Sequence, residues 1–225
     1  MKSTIHQQVT NFYSALHPRH RFYVQGKLRW DDLSATLPQY LRCDERQSLG
    51  RLLDVGCGRG QYGVLAGLSR PLDQLVGVDF DAGKIAAAQR ALTRAQISQP
   101  AMRSWKFSVE DATYLKASAF DTIFLFDVLH YLDEPQQLKL AQALVKILSP
   151  GGRLYFRDTG SGLGGRVNLL IEKLIRRLGI MKGHTLNFRT SDQLESLWAH
   201  VGLKCLTKVQ GDKFSTLFLI LEKSE

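Results

Sequence analysis

Cysteine is scarce in this chain. Cys43, Cys57 and Cys205 are the three cysteines in 225 residues, and no Cys-x-x-Cys pair occurs. Such scatter excludes a disulfide framework and a structural zinc site, and it suits a reducing compartment. No apolar run approaches the roughly 18 residues of a membrane-spanning helix. The stretch Met1–Gln8 lacks the apolar core of a signal peptide. A soluble, cytoplasmic protein is therefore expected. Internal repeats and low-complexity segments are also missing. There is no Lys/Arg-rich block either, although 30 cationic side chains outnumber 21 acidic ones for a formal charge of +9. That balance favours encounters with phosphate polymers and anionic surfaces. Spread along the whole chain and without an RNA-binding module, it does not make nucleic acid the expected partner. The length suits one α/β domain plus a decoration.

What is present centres on Arg51-Leu-Leu-Asp-Val-Gly-Cys-Gly-Arg-Gly60. An apolar run enters three glycines spaced two apart, Gly56, Gly58 and Gly60, and a helical pattern follows from Gln61 to Leu68. This is the pattern of a buried parallel strand, a tight turn and a helix opening on the turn. Glycine there permits positive φ and close approach of a ligand to the backbone. Asp54 ends the strand, and Leu75-Val-Gly-Val-Asp79 follows at one βαβ unit's distance. An acid at that strand end can hydrogen-bond ribose hydroxyls. Counted from Gly56, the first glycine of the turn, the residues do not follow the Gly-x-Gly-x-x-Gly spacing of dinucleotide dehydrogenases, which ranks that reading low.

Before this motif, Ile5, Val9, Phe12, Tyr13 and Leu16 recur at helical spacing over Thr4–Leu16, and Pro18 is read as the helix end. Asp31 or Asp32 can cap a second helix through Tyr40. Residues 1–48 are expected to form a helical cap or lid, and residues 49–225 the main domain. Strands are predicted at 52–55, 75–79, 105–109, 120–126, 153–157, 203–209 and 215–222, with helices at 61–69, 82–95, after Pro135 and at 190–200. Alternating strands and helices predict an α/β, Rossmann-like, doubly wound, mostly parallel seven-stranded sheet. A helical insertion is expected at about 158–187. Between residues 158 and 190, six cations face two anions, and Val167, Leu170, Ile171, Leu174, Ile175 and Leu178 line one helical face. A basic amphipathic helix over 166–182 can lie peripherally on an anionic membrane, cover an apolar substrate or pack in a dimer. It can equally pack on the domain with a solvated charged face.

The segment Asp54–Gly60 resembles motif I of the class I S-adenosylmethionine-dependent methyltransferases. Later stretches agree in order: Val78-Asp79-Phe80-Asp81, Val109-Glu110-Asp111-Ala112, Phe120 to Leu132 with Asp127, His130 and Tyr131, and Leu148-Ser-Pro-Gly-Gly-Arg-Leu154. The resemblance covers about residues 50–157. It implies S-adenosyl-L-methionine as cofactor, S-adenosyl-L-homocysteine as product, and a last strand inserted antiparallel. It also implies a cofactor site in which Gly56, Cys57, Gly58 and Gly60 approach the methionine and ribose. Asp54 would orient the amino group, Asp79 accept the ribose hydroxyls, Phe80 stack near the adenine, Asp111 and Ala112 hold the adenine edge, and Asp127 border the methionine end. Because Cys57 lies inside the turn, it is not read as a nucleophile.

In-line methyl transfer needs mainly positioning and exclusion of water. A hydroxyl or acidic carbon acceptor also needs a base, and His130 and Tyr131 directly follow the fourth strand. His20, Tyr23 and His184 are further candidates, each with a packing role as the plain alternative. His17 and His20 lack an acidic or thiol neighbour at ligand spacing, so no metal site is expected. The runs His20–Trp30 and His184–Gly202 resemble small bacterial methyltransferases of aryl-polyene and polyketide-type lipid clusters. That likeness implies an aromatic or acyl lipid-precursor acceptor, of a kind that an acidic carrier protein can hold. An RNA methyltransferase and a non-catalytic cofactor-binding module are the alternatives. Asp-Val-Leu-His after the fourth strand, in place of Asn-Pro-Pro-Tyr, speaks against amino-group methylation of bases.

Overall fold

The computed structural model describes residues 2–111, 119–159, 186–211 and 216–224. Ala112, His184 and the basic stretch 166–182 lie outside the described residues. Three helices come first: α1 (Lys2–Phe12), α2 (Pro18–Trp30) and α3 (Asp32–Cys43). Then follow β1 (Arg51–Val55), α4 (Gln61–Ser69), β2 (Gln74–Asp79), α5 (Ala82–Ser98), β3 (Lys106–Val109) and β4 (Phe120–Phe126). The chain continues through α6 (Glu134–Ile147), β5 (Leu148–Thr159), α7 (Ser191–His200), β6 (Leu203–Gln210) and β7 (Thr216–Lys223). The strands form one seven-stranded sheet in the order β3-β2-β1-β4-β5-β7-β6. Strands β1, β2 and β3 pair in parallel, and β7 pairs antiparallel with both β5 and β6. This is the expected Rossmann-like α/β architecture, with its last strand inserted antiparallel.

Two compact units share the chain. One holds α1 to β3 with Phe120–Thr122, and the other holds Ile123 onward. In the first, β1 is buried from Leu52 to Val55 and pairs with a β2 whose Leu75 and Val78 are fully buried. Apolar side chains on both faces suit a strand interior to a parallel sheet. Asp81 caps α5 by accepting from the Lys84 amide at 3.0 Å, and a run of alanines favours that helix. Helices α1 and α3 pack on α4. The Tyr62 hydroxyl donates to Asp31 Oδ2 at 2.5 Å, and Asp31 also caps α3 through the Leu33 amide.

One expectation needs correction. Pro18 does not end the first helix; it opens α2, with His17 as N-cap. Proline fits a first helical turn because its fixed φ is helical and its missing N–H is unneeded there. His20, Val24 and Leu28, spaced by four, are the buried stripe of α2. Helical periodicity thus runs through Pro18–Trp30, a stretch to which the sequence reading assigned no helix.

In the second unit, α6 begins with a capping box in which Asp133 accepts from the Gln136 amide while the Gln136 side chain accepts from the Asp133 amide. Thr190 and Gln193 repeat that device on α7. Trp198 of α7 is fully buried and meets Phe156 of β5 edge-on at 5.1 Å between ring centres. The Lys223 ammonium, at the end of β7, donates to the carbonyls of Val145 and Leu148, satisfying acceptors at the end of α6.

Gly77 on β2 tests the packing of the first unit. A Cβ there would stand 2.2 Å from the Phe107 ring and 3.1 Å from Cys57 Sγ. Gly77→Ala is expected to cost about 1–3 kcal/mol through overpacking. A urea titration with an unchanged midpoint would show that the β2–β3 layer can yield.

Candidate active site

The glycine turn is built by two constraints. Gly56, Gly58 and Gly60 all take positive φ, at 65°, 58° and 75°. At Gly60 a side chain is also barred by space, since a Cβ would stand 2.4 Å from the Phe107 ring. At Gly58 nothing among the described residues lies within 4 Å of that position, so the bare backbone presents an open face to a ligand. The turn is tied down by Cys57 N–H donating to Val78 O at 3.0 Å and Gly60 N–H donating to Cys57 O at 2.8 Å.

Asp79 ends β2 and is buried. Its Oδ2 accepts from Gly58 N–H at 2.9 Å and its Oδ1 from Asp81 N–H at 2.9 Å. A carboxylate has about four acceptor positions, so bracing both amides leaves capacity for two hydroxyl donors. Phe80 beside it is strongly exposed, with the Lys84 ammonium 5.5 Å from its ring centre. Asp111 is exposed just beyond β3.

Asp54 is buried, and its Oδ2 has no hydrogen-bond partner among the described residues. Burial pushes its carboxyl up to about 7; the nearby Asp79 charge adds to the rise and the Gly63 amide opposes it. Gln61 Oε1 is a second buried acceptor without a donor among the described residues. Buried polar atoms are ordinarily paired, so two vacant acceptors around an open glycine turn suit a ligand rich in donors. Burial likewise raises the Cys57 thiol far above its usual range, with Asp54 and Asp79 adding to the effect. That group is not a nucleophile.

The N-terminal helices reach this turn through Arg59. Fully buried Tyr13 donates its hydroxyl to Arg59 O at 2.5 Å. The Arg59 guanidinium lies 3.9 Å from the centre of the Tyr23 ring and donates through Nε to His20 Nδ1 at 2.9 Å. Arg19 Nε approaches the other ring nitrogen of His20 at 3.0 Å. Burial, then Arg59 and Arg19, hold His20 below its usual range, so the ring is neutral. A neutral imidazole has one acceptor nitrogen, and only one of these contacts is a hydrogen bond at a time. His20 is brought to the glycine turn as a bracket for Arg59.

His130 and Tyr131 lie in the second unit, in the short turn Leu129–Tyr131 after β4. Asp127, at the end of β4, has φ of 57° and pairs with Arg157, whose Nε donates to Oδ1 at 3.0 Å. His130 Nδ1 bonds to Asp158 Oδ1, and the His130 amide donates to Asp158 Oδ2 at 3.1 Å. Asp158 is 1% exposed and also accepts from Thr159 N–H at 2.7 Å. Phe188 stacks on the His130 ring at 5.3 Å, Tyr131 lies at 4.2 Å, and the Asn187 amide donates to His130 O. Gln137 of α6 ties the turn together, donating to the carbonyls of Leu129, Leu132 and Asn187. Sequence reasoning placed Asp158 in the insertion and missed its pairing with His130. The available signal was Arg157-Asp158, two charged residues that directly follow the apolar run Leu154-Tyr-Phe156.

A family model described as "Methyltransferase domain" matches residues 20–208. The chain belongs to this family. It is 30% identical over 139 residues to trans-aconitate 2-methyltransferase of Azoarcus sp., covering 56% of this chain and 49% of that one. The curated relatives it matches are longer, and the chain spans between 29% and 52% of their lengths. Among solved structures, the fold matches magnesium protoporphyrin IX methyltransferase from Synechocystis PCC 6803 with bound S-adenosylhomocysteine. The TM-score is 0.67 at 18% identity, over 99% of this chain and 96% of that one. The pyocyanin biosynthetic protein PhzM matches with a TM-score of 0.65 at 16% identity, over 95% of this chain and 61% of that one. The family's cofactor is S-adenosylmethionine. The vacant acceptors at Asp54 and Gln61, the open Gly58 face and the spare capacity of Asp79 fit its ammonium and hydroxyl groups.

The raised Asp54 carboxyl makes the cofactor-free fold pH-dependent. In the folded state the group holds its proton up to about 7, whereas an unfolded aspartate releases it near 3.8. Its contribution is therefore complete below the unfolded value and is lost as pH rises through about 7. The difference is on the order of 4 kcal/mol. Asp54→Asn is expected to flatten this part of the stability profile between pH 4 and pH 7 (roughly the span of the shift). Urea melts of the two proteins across that range check it, and parallel profiles would contradict the buried carboxyl.

Proposed function

We propose that this chain transfers a methyl group from S-adenosylmethionine to a small-molecule acceptor, aromatic or acyl, that loses a proton on methylation. The observation that carries the acceptor class is the His130–Asp158 pair. A buried carboxylate can only accept, so Asp158 takes the Nδ1–H of His130 and leaves the basic lone pair at Nε2. A side chain held in that tautomer is suited to remove a proton from a hydroxyl or an acidic carbon. Small-molecule names among the similar proteins, trans-aconitate and magnesium protoporphyrin IX, support the same class.

When bound, S-adenosylmethionine supplies a methyl group already activated on its sulfonium. Asp54 and Gln61 would receive the ammonium group, Asp79 the ribose hydroxyls, and the Gly58 backbone would lie against the ligand. Phe80 and Asp111 would border the base. Asp127, pinned by Arg157, would stand at the methionine end. Gln137 and Phe188 fix the turn and ring that carry the proton-accepting nitrogen, so the chain's work is orientation and proton removal. A lipid precursor tethered to an acidic carrier protein suits the +9 charge.

Two measurements test this reading. Asp79→Ala is expected to weaken S-adenosylhomocysteine binding by about 2 kcal/mol, roughly thirtyfold, through lost charge-assisted hydrogen bonds. Calorimetric titration with unchanged affinity would remove Asp79 from the site. His130→Gln is expected to lower kcat by about 10²–10⁴ on phenolic or carrier-bound acyl acceptors while cofactor affinity holds. Methyl transfer to RNA, with none to small acceptors, would overturn the acceptor class.

A further inference from the structure

Helix α2 buries His20, Val24 and Leu28 on one side. At 3.6 residues per turn, its opposite side carries Arg19, Phe22, Gly26, Arg29 and Trp30, with Tyr23 at its edge, where the ring meets Arg59. An outward helix face is ordinarily polar, yet here Phe22 is 59%, Tyr23 43% and Trp30 77% exposed. The cations interleave with these rings: Arg29 lies 4.9 Å from the Trp30 ring centre and Arg21 4.7 Å from that of Phe22. Arg19, Arg21, Lys27 and Arg29 make four cations in 13 residues, with no acidic residue in the helix.

We infer that the outer face of α2 docks this protein on anionic lipid bilayers, independently of which acceptor is methylated. Aromatic rings at the centre of the face need an apolar bed, and arginines at its centre and flank need anions just above that bed. A bilayer interface offers both layers at the right depth. A surface helix sinks about 5–10 Å to the boundary of headgroups and acyl chains, where tryptophan and tyrosine are enriched. Guanidinium groups bind phosphate oxygens bidentately, so they hold headgroups while the rings enter. The surface of an acidic protein would satisfy the arginines but leave Trp30 and Phe22 against polar groups. The face is distinct from the basic stretch 166–182, and among the described residues no helix is long and apolar enough to cross a membrane. The inferred contact is therefore peripheral.

Tryptophan emission reads the contact directly. Of the three tryptophans, Trp105 and Trp198 are buried and Trp30 alone is exposed. Phosphatidylglycerol vesicles should shift the emission to the blue, phosphatidylcholine vesicles should not, and Trp30→Phe should abolish the response. In co-sedimentation, Arg29→Gln should weaken binding to phosphatidylglycerol vesicles about fivefold. Phe22→Ser with Trp30→Ser should weaken it at least about tenfold. Circular dichroism melts establish that these surface variants remain folded. Full vesicle affinity in both variants would overturn the inference by moving the contact elsewhere in the chain. So would the absence of any spectral shift, including the case where the α2 face binds an acidic protein or RNA but not vesicles.

Discussion

The hydrogen bond from the Gly58 amide to the Asp79 carboxylate is the constraint on which the cofactor region depends. It joins the turn after β1 to the end of β2, at 2.9 Å and in a buried setting. A charge-assisted bond is roughly twice as strong as a neutral one, and low polarity around it raises the cost of losing it. The second Asp79 oxygen accepts from Asp81 N–H, and Asp81 in turn caps α5. One carboxylate therefore sets the glycine turn and the start of a helix while keeping acceptor capacity for a ligand. The nearby Asp54 carboxyl, whose Oδ2 has no hydrogen-bond partner among the described residues, is the converse: a group whose burial disfavours its charge.

The N-terminal helices are bound to this arrangement by Arg59, the residue between two of the glycines. Its carbonyl accepts from Tyr13, while its guanidinium meets Tyr23 and His20. Any shift of α1 or α2 thereby acts on the glycine turn. The same helix that brackets Arg59 from its buried side presents Phe22 and Trp30 outward, so a surface contact and the glycine turn share one rigid element.

Much of this was legible in the residues. The strand–turn–helix run around Gly58, the acid ending β2, the central strand Phe120–Phe126 and the antiparallel last strand follow from apolar patterning and glycine placement. Local signals failed at Pro18, because a proline marks a helix start as readily as a helix end. Long-range partners were illegible for a different reason. Asp158 lies 28 residues from His130, and Phe107 sets the space at Gly60 from 47 positions away along the chain. Nothing in either local stretch encodes such a pairing; it arises only when strand ends are brought together.

Asp127 carries a further implication. Its left-handed backbone costs an L-residue on the order of 1–2 kcal/mol, and what holds it is the ion pair with Arg157, whose side chain is 9% exposed. Three residues later stands His130. The orientation of that turn therefore rests in part on this ion pair, beside the Gln137 hydrogen bonds that also tie it. Mobile salt screens such a partly buried pair less than a surface one, and with buried Leu129 and the Phe188–His130 stack beside it the turn keeps its shape across ionic strengths that would loosen a surface-bound loop.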